Sequence, residues 1–141
     1  MSCIAALLLA IAPLRVVVMP FAGQPVGMTD EVLPSASELG ALRTALIEDL
    51  RRDGVTVIAS RAHCSDDDAR CYQRVASAHD ARAVLTANVT RYMALLWSFD
   101  VGIRDVARNN ARLLRSEYKG DFEALLQTMP QTAATVEKSL R

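Results

Sequence analysis

Hydrophobic and polar residues alternate most clearly between Ala81 and Gly120. The strict alternation of Trp97–Arg104 is typical of a strand with one buried face. Val84–Thr90 is rich in β-branched residues and predicts a preceding strand. Leu113–Tyr118 predicts a returning strand after Asn109-Asn110, because Asn tolerates the left-handed backbone conformation that hairpin turns require. Together these patterns predict a three-stranded antiparallel meander.

The apolar positions of the middle strand are predicted to belong to the core. Their side chains alternate with polar ones and therefore share one face, whereas an aromatic platform for a ligand would need exposed rings. We expect burial of Trp97, Phe99, Val101 and Ile103.

A strand-helix-strand unit is predicted before the meander. Arg15–Phe21 is almost continuously apolar, which indicates a strand buried on both faces. Ser35 and Glu38 form the pattern of a capping box, which predicts a helix that Gly54 ends. Val55–Ala59 predicts the next strand, parallel to the first through a right-handed crossover.

Two further helical segments complete the predicted order of elements. A helix is expected from Ser65 to about His79 and another from Phe122 to Met129. Pro130 is expected to interrupt this last helix, which resumes from Gln131 to Leu140. The order β-α-β-α-β-β-β-α predicts an α/β sandwich with a mixed five-stranded sheet. Crossovers in opposite directions give the strand order 2-1-3-4-5 and place helices on both faces.

The chain of 141 residues fits one domain, which we assign to residues 14–141. Residues 1–13 are apolar and resemble the apolar core of a secretory signal peptide, although no basic segment precedes it. A buried first helix or strand is the alternative. The apolar run is too short for a stable membrane span.

Cys64 and Cys71 are close enough in the sequence to bridge a loop and the first turns of a helix. In an oxidising compartment such a pair forms a disulfide, whereas a cytosolic protein would keep it reduced and buried. We favour the disulfide, in agreement with export to the periplasm or beyond.

The charge and motif content excludes several function classes. The formal net charge is +0, so no electrostatic footprint for nucleic acid is present. Gly23 and Gly27 match no phosphate-binding fingerprint, and the serines have no evident His–acid partners for a triad. A zinc site could be assembled from His63, Cys64, Cys71 and His79, but His79 is expected at the far end of the second helix, more than two turns from Cys64. We expect no catalytic residues, no cofactor and no metal.

Several segments together resemble known bacterial envelope proteins. They are RVVVMPF, LRRDG, VTVI, ARAVLTANVTRY, WSFDVGIRDVARNNARLL and YKGDF, within residues 15–122. The pattern resembles a family of small secreted bacterial proteins of unknown function. More distantly, it is similar to the N-terminal domain of TolB-type periplasmic proteins and to curli-secretion-type and penicillin-binding-protein-activator domains. The resemblance implies an anticodon-binding-like α/β sandwich in the periplasm that relatives use for protein–protein contacts.

We therefore expect a non-enzymatic adaptor that binds another envelope protein. The predicted contact residues lie in the loop after the first strand and on the edge of the last strand, and they are Gln24, Met28, Val32, Leu113, Arg115 and Glu117. Pairing of the same edge between two copies would give a homodimer. The alternative is a small-ligand or metal-binding protein with a pocket near the C-terminal ends of the first and third strands.

Overall fold

The computed structural model describes residues 13–25, 27 and 33–141, which form an α/β domain around one sheet. Its strands are β1 (Arg15–Val18), β2 (Ala22–Gly23), β3 (Thr56–Ala59), β4 (Ala83–Met93), β5 (Leu96–Asp105) and β6 (Asn110–Lys119). Its helices are α1 (Ala36–Arg52), α2 (Ala69–Ala78), α3 (Phe122–Leu126) and α4 (Met129–Leu140). The predicted signal segment, residues 1–13, lies outside the described residues except for Pro13.

The five main strands lie in the order β3-β1-β4-β5-β6. β1 pairs in parallel with β3 and β4, whereas β4, β5 and β6 form the antiparallel meander. This confirms the predicted mixed sheet and its order 2-1-3-4-5.

The predicted first strand, Arg15–Phe21, is shorter in the structure and is followed by a strand that the sequence did not predict. β1 ends at Val18, and Ala22–Gly23 then pairs with β4 inside the predicted loop. Pro20 separates the two strands, because it has no amide hydrogen to donate to a sheet.

β1 is buried on both faces of the sheet, as predicted. Val16 and Val18 join the larger core, while Val17 lies in the smaller core on the opposite face, and all three are fully buried. Because successive side chains of a strand point to opposite faces, β1 links the two cores.

The larger core lies between the sheet and the helices α1, α3 and α4. Leu42, Leu46 and Leu50 of α1 are completely buried there. The four residues of β5 that were predicted to be buried lie in the same core: Trp97, Phe99, Val101 and Ile103. The Trp97 indole Nε1 also donates a hydrogen bond of 3.1 Å to the Gly120 carbonyl, which satisfies the only polar atom of this side chain.

The smaller core lies under α2, which packs against β1 and β4. It contains Val17, Met19, Tyr72, Ala76 and Val84. The two cores confirm that helices cover both faces of the sheet.

The predicted helix ends agree with the structure at α1 but not at α2 or around Pro130. Ser35 and Glu38 make the reciprocal capping box, and Gly54 follows α1 with a φ of +88°. The predicted start of the second helix at Ser65 is wrong: α2 begins at Ala69, and Asp68 is its N-cap. The Asp68 amide donates to the Ser65 carbonyl, so these residues form a turn before the helix.

The predicted interruption of the last helix at Pro130 is also wrong. The helical pattern breaks at Gln127 and Thr128 instead, and Pro130 lies in the first turn of α4, where its missing amide hydrogen costs no helical hydrogen bond.

Candidate functional site

β6 forms one outer edge of the sheet, and no strand in the described ranges pairs with its far side. It contains 10 residues, contains no Pro, and pairs with β5 without a register shift. A long, regular edge of this kind presents unpaired main-chain groups to a strand of another chain.

The hairpin geometry determines which amides of β6 point outward. The Gly120 amide donates to the Leu95 carbonyl at 2.8 Å, so Gly120 belongs to the set of residues that bond toward β5. Main-chain groups alternate between the two sides of an antiparallel strand. The groups that point away from β5 are therefore those of Ala111, Leu113, Arg115, Glu117 and Lys119.

The side chains of β6 divide between two faces of the sheet. One set lies opposite the core residues of β5 and faces α3 and α4: Arg112, Leu114, Ser116 and Tyr118. The other set lies on the α2 side of the sheet, opposite Ser98, Asp100 and Gly102: Glu117, Arg115 and Leu113. Leu113 is 58% exposed and gives this face of the edge an apolar side chain beside the two charged ones.

Arg115 is held at the edge by a carboxylate of the neighbouring strand. Its Nε donates to Asp100 Oδ1 at 3.2 Å, and an Nη donates to Asp100 Oδ2 at 3.3 Å. The hydrogen bonds from the guanidinium to Asp100, and the charge of that carboxylate, raise the pKa of Arg115. Ser98 Oγ donates to the same carboxylate at 3.2 Å. The guanidinium is therefore oriented while its side chain remains 64% exposed.

A groove lies between β6 and the helices α3 and α4. Its volume is about 290 Å³, and its walls include Leu114, Ser116, Tyr118, Leu125 and Gln131. The groove lies beside the middle of the edge, so a strand added to β6 would run along its opening.

The structure separates the two predicted contact regions. Gln24 is exposed and follows β2. Its main-chain N–H donates a hydrogen bond to the Val89 carbonyl of β4 at 2.9 Å. Both β4 and β5 lie between that position and the β6 edge, where Leu113, Arg115 and Glu117 lie together. Met28 and Val32 lie outside the described residues.

The tip of the β4–β5 hairpin is an exposed apolar surface that the sequence reasoning missed. Tyr92, Met93 and Leu95 lie there, and Met93 and Leu95 are 65% and 59% exposed. The signal in the sequence is the run YMALLW, in which the alternation of polar and apolar residues stops. Beside the tip, the guanidinium of Arg91 stacks over the Trp97 ring at 4.8 Å.

The C-terminal end of β1, where a ligand pocket was the alternative prediction, is bound by Arg43 of α1. Its guanidinium donates to the carbonyls of Val18, Met19 and Ser60 at 2.8, 3.2 and 2.6 Å. Burial of the guanidinium lowers the pKa of Arg43. This side chain therefore already binds the polar groups that a ligand would meet there.

A second cavity, of about 270 Å³, lies on the α2 side of the sheet. Its walls include Thr86, Asn88, Gly102 and Arg104. Arg104 is already engaged, because it donates to the Asp66 carbonyl and stacks over the Tyr72 ring at 4.7 Å. Burial of the Tyr72 side chain is the main cause that raises its pKa, and the nearby Asp66 carboxylate raises it further.

The structure joins Cys64 and Cys71 in a disulfide, with their Cα atoms 5.7 Å apart. Because the two sulfur atoms are bonded to each other, neither is a thiolate that could bind zinc together with His63 and His79. Within residues 13–25, 27 and 33–141, no group of three or more His, Cys, Asp and Glu residues is placed to hold a metal ion.

In the same ranges, every helix is too short or too polar to cross a membrane.

The comparisons with known proteins concern the fold. No protein-family model and no curated protein sequence matches this chain. The crystal structure of TolB from Acinetobacter baumannii is similar, with a TM-score of 0.57, 14% identity, and coverage of 92% of this chain and 28% of TolB. The LpoB C-terminal domain from Salmonella enterica is similar with a TM-score of 0.54, 11% identity, and coverage of 82% of this chain and 92% of that domain.

These identities are low, so the likeness shows the fold alone. It confirms the fold that the sequence resemblance to TolB-type domains implied. The chain spans only 28% of the TolB chain, and whatever the whole of TolB does is not transferred with the fold.

Proposed function

We propose that this protein is a non-enzymatic accessory domain of the bacterial cell envelope, which binds another envelope protein by strand addition at the β6 edge. The observation that carries the proposal is the 10-residue outer edge, which no described strand covers. In strand addition, main-chain hydrogen bonds supply affinity and the alternating side chains supply specificity.

The side chains of the edge support selective binding. Arg115 is oriented by Asp100, and Glu117 lies two residues further along the same face. On that face a partner strand would meet charges of both signs within a short distance, together with the exposed Leu113. The predicted contacts at Gln24, Met28 and Val32 also belong to the proposal, and of these the structure describes Gln24, which β4 and β5 separate from the β6 edge.

A periplasmic or secreted location is part of the proposal. A disulfide between Cys64 and Cys71 is expected in an oxidising compartment and is rare in the cytosol. The similarity in fold to TolB and to an LpoB domain supports this location by analogy.

Proline substitutions along the edge test the proposal. Leu113→Pro and Glu117→Pro remove amides that point away from β5, so the β5–β6 bonds stay intact. The tagged variants are used to capture partners from a periplasmic extract after circular dichroism has shown that they fold. We expect both variants to lose the partners that the unmodified protein captures.

The matched control is Ala59→Pro in β3, the strand at the opposite edge. The amides of Thr56 and Ser60 donate toward β1, so the Ala59 amide points away from the sheet. This variant should retain the partners. Capture that survives both edge prolines and replacement of residues 24–33 would refute the proposal.

A second candidate function, binding of a small polar ligand, is favoured by the cavity of about 270 Å³ on the α2 side. Thr86 and Asn88 offer hydroxyl and amide groups there. Nuclear magnetic resonance of the protein with a set of small polar metabolites tests this candidate. Shifts confined to the amides of β4 and β5 around Thr86, and lost in Asn88→Ala, would support it, whereas unchanged spectra would exclude it.

A further inference from the structure

The β6 edge can pair with a second copy of itself in several antiparallel registers, of which one combines the most ion pairs and apolar contacts. Two copies related by a two-fold axis place one residue of β6 opposite its own equivalent, and every other pair follows from that choice. Each residue whose main-chain groups point away from β5 must lie opposite a residue of the same kind in the second copy. The alternation along β6 allows this when one residue lies on the axis. The residue on the axis therefore determines which side chains meet.

Charge and the length of the paired segment distinguish the registers. An axis at Arg115 or at Glu117 places two like charges directly opposite each other, which is destabilising between strands. An axis at Leu114 places Arg115 opposite Leu113 and forms no ion pair. An axis at Tyr118 places Glu117 opposite Lys119 but pairs only residues 117–119 of β6, and an axis at Leu113 places Arg115 opposite Ala111. An axis at Ser116 places Arg115 opposite Glu117 of the second copy, and it does so twice.

The other positions agree with the axis at Ser116. On the side of α3 and α4, Leu114 lies opposite Tyr118 of the second copy, again twice, so that two partly exposed apolar side chains meet. On the α2 side, the exposed Leu113 lies opposite Lys119, whose aliphatic stem can cover it. Ser116 is small and exposed, so the two main chains approach freely at the axis.

Arg115 has the donors that this arrangement needs. The guanidinium carries five N–H groups, of which the Nε and one Nη are directed at Asp100. The remaining donors are available to Glu117 of the second copy. Asp100 thus holds each guanidinium in place before the strands meet, which reduces the entropy lost on association.

We propose that two copies of this chain pair through β6, antiparallel and centred on Ser116, so that the two sheets become continuous. Residues 113, 115, 117 and 119 of each copy would contribute roughly eight main-chain hydrogen bonds. This inference rests on the proposed use of the β6 edge and names a second copy as its occupant. A strand of an envelope partner would compete for the same edge.

The first test measures association by sedimentation equilibrium of the full chain. We expect a concentration-dependent dimer, and weakening by roughly tenfold or more in Glu117→Lys, because the introduced ammonium would face Arg115 of the second copy. The second variant combines Arg115→Glu with Asp100→Asn, which avoids two facing carboxylates within one chain. It should be monomeric alone but should pair with Glu117→Lys when the two are mixed.

The second test reads the register by cross-linking, with Cys3→Ser in every variant. In Ser116→Cys the two introduced residues face each other at a Cα separation of about 4.5 Å, so mild oxidation should link the copies. The matched control is Lys119→Cys, in which the two thiols lie roughly 20 Å apart and should stay unlinked.

A monomeric unmodified protein at the highest concentration, or equal cross-linking of both cysteine variants, would overturn the inference. Its failure is distinguishable from that of the proposed function. Edge prolines that abolish partner capture from a monomeric protein leave the proposed function intact. If the protein forms the dimer but the edge prolines do not reduce partner capture, the proposed function is wrong and the pairing of two copies still holds.

Discussion

Gly102 in β5 allows the strands to come close on the α2 side of the sheet. It lies opposite Thr86 of β4 and Leu113 of β6. A Cβ atom at this position would lie 2.5 Å from Thr86 Oγ1, which is shorter than any van der Waals contact. An added side chain at position 102 would therefore clash with Thr86 unless the Thr86 hydroxyl moved away.

We predict that Gly102→Ala destabilises the protein by about 1–3 kcal/mol, because the new methyl group overpacks against Thr86. Urea unfolding measures the change. Adding Thr86→Ala to this variant removes the opposing hydroxyl and should recover most of the loss.

Gly40→Ala is the matched control for that substitution. Gly40 lies inside α1, and an added Cβ would meet nothing within 4 Å. Alanine is a better helix former than glycine, so this variant should gain about 0.5–1 kcal/mol. If the two glycine variants changed stability equally, the close approach at Gly102 would be the wrong explanation.

At the scale of elements, α2 depends on its anchors. It contains 10 residues, and isolated helices of that length are marginal in water. The Cys64–Cys71 disulfide ties α2 to its preceding loop. Arg104 of β5 then holds both against the sheet, through its hydrogen bond to the Asp66 carbonyl and its stacking over Tyr72. The buried residues Tyr72 and Ala76 of α2 complete the smaller core.

We predict that the double variant Cys64→Ser/Cys71→Ser loses about 2 kcal/mol of stability, because the cross-link no longer restricts the unfolded chain. Hydrogen exchange should accelerate in the first turn of α2 while the amides of β4 keep their relative protection. Cys3→Ser leaves the disulfide in place and serves as the control. Uniform acceleration throughout the domain would contradict a local role for the disulfide.

At the scale of the molecule, β1 couples the two cores. Its alternating valines reach both sides of the sheet, so neither helical layer can separate from the sheet without exposing residues of the same strand. Trp97 is the only tryptophan and is 1% exposed, which makes its fluorescence a probe of the larger core.

We predict one cooperative unfolding transition, in which Trp97 fluorescence and far-ultraviolet circular dichroism have the same midpoint. Leu46→Ala, at a fully buried position of α1, should move both midpoints together and cost about 2–5 kcal/mol. Separate midpoints for the two probes would show that the layers unfold independently.

The sequence by itself determined the order and the type of the main elements, although not the short strand β2. Alternation in Trp97–Arg104 identified a strand and its buried face, and the continuous apolar run around Val17 identified a strand buried on both sides. Ser35 with Glu38 located the start of a helix. These signals are local, since they depend on the period of side chains along one element and on hydrogen bonds to residues three or four positions away.

Only the tertiary structure decided the site. The sequence pointed to Leu113, Arg115 and Glu117 but could not show that Asp100 orients Arg115, or which amides of β6 point outward. It could not show that Arg43 binds the carbonyls at the end of β1, where the alternative prediction has a ligand pocket, and it started α2 too early. Each of these features depends on residues that are distant in the chain and become neighbours through strand register and packing. A local pattern carries no record of those neighbours.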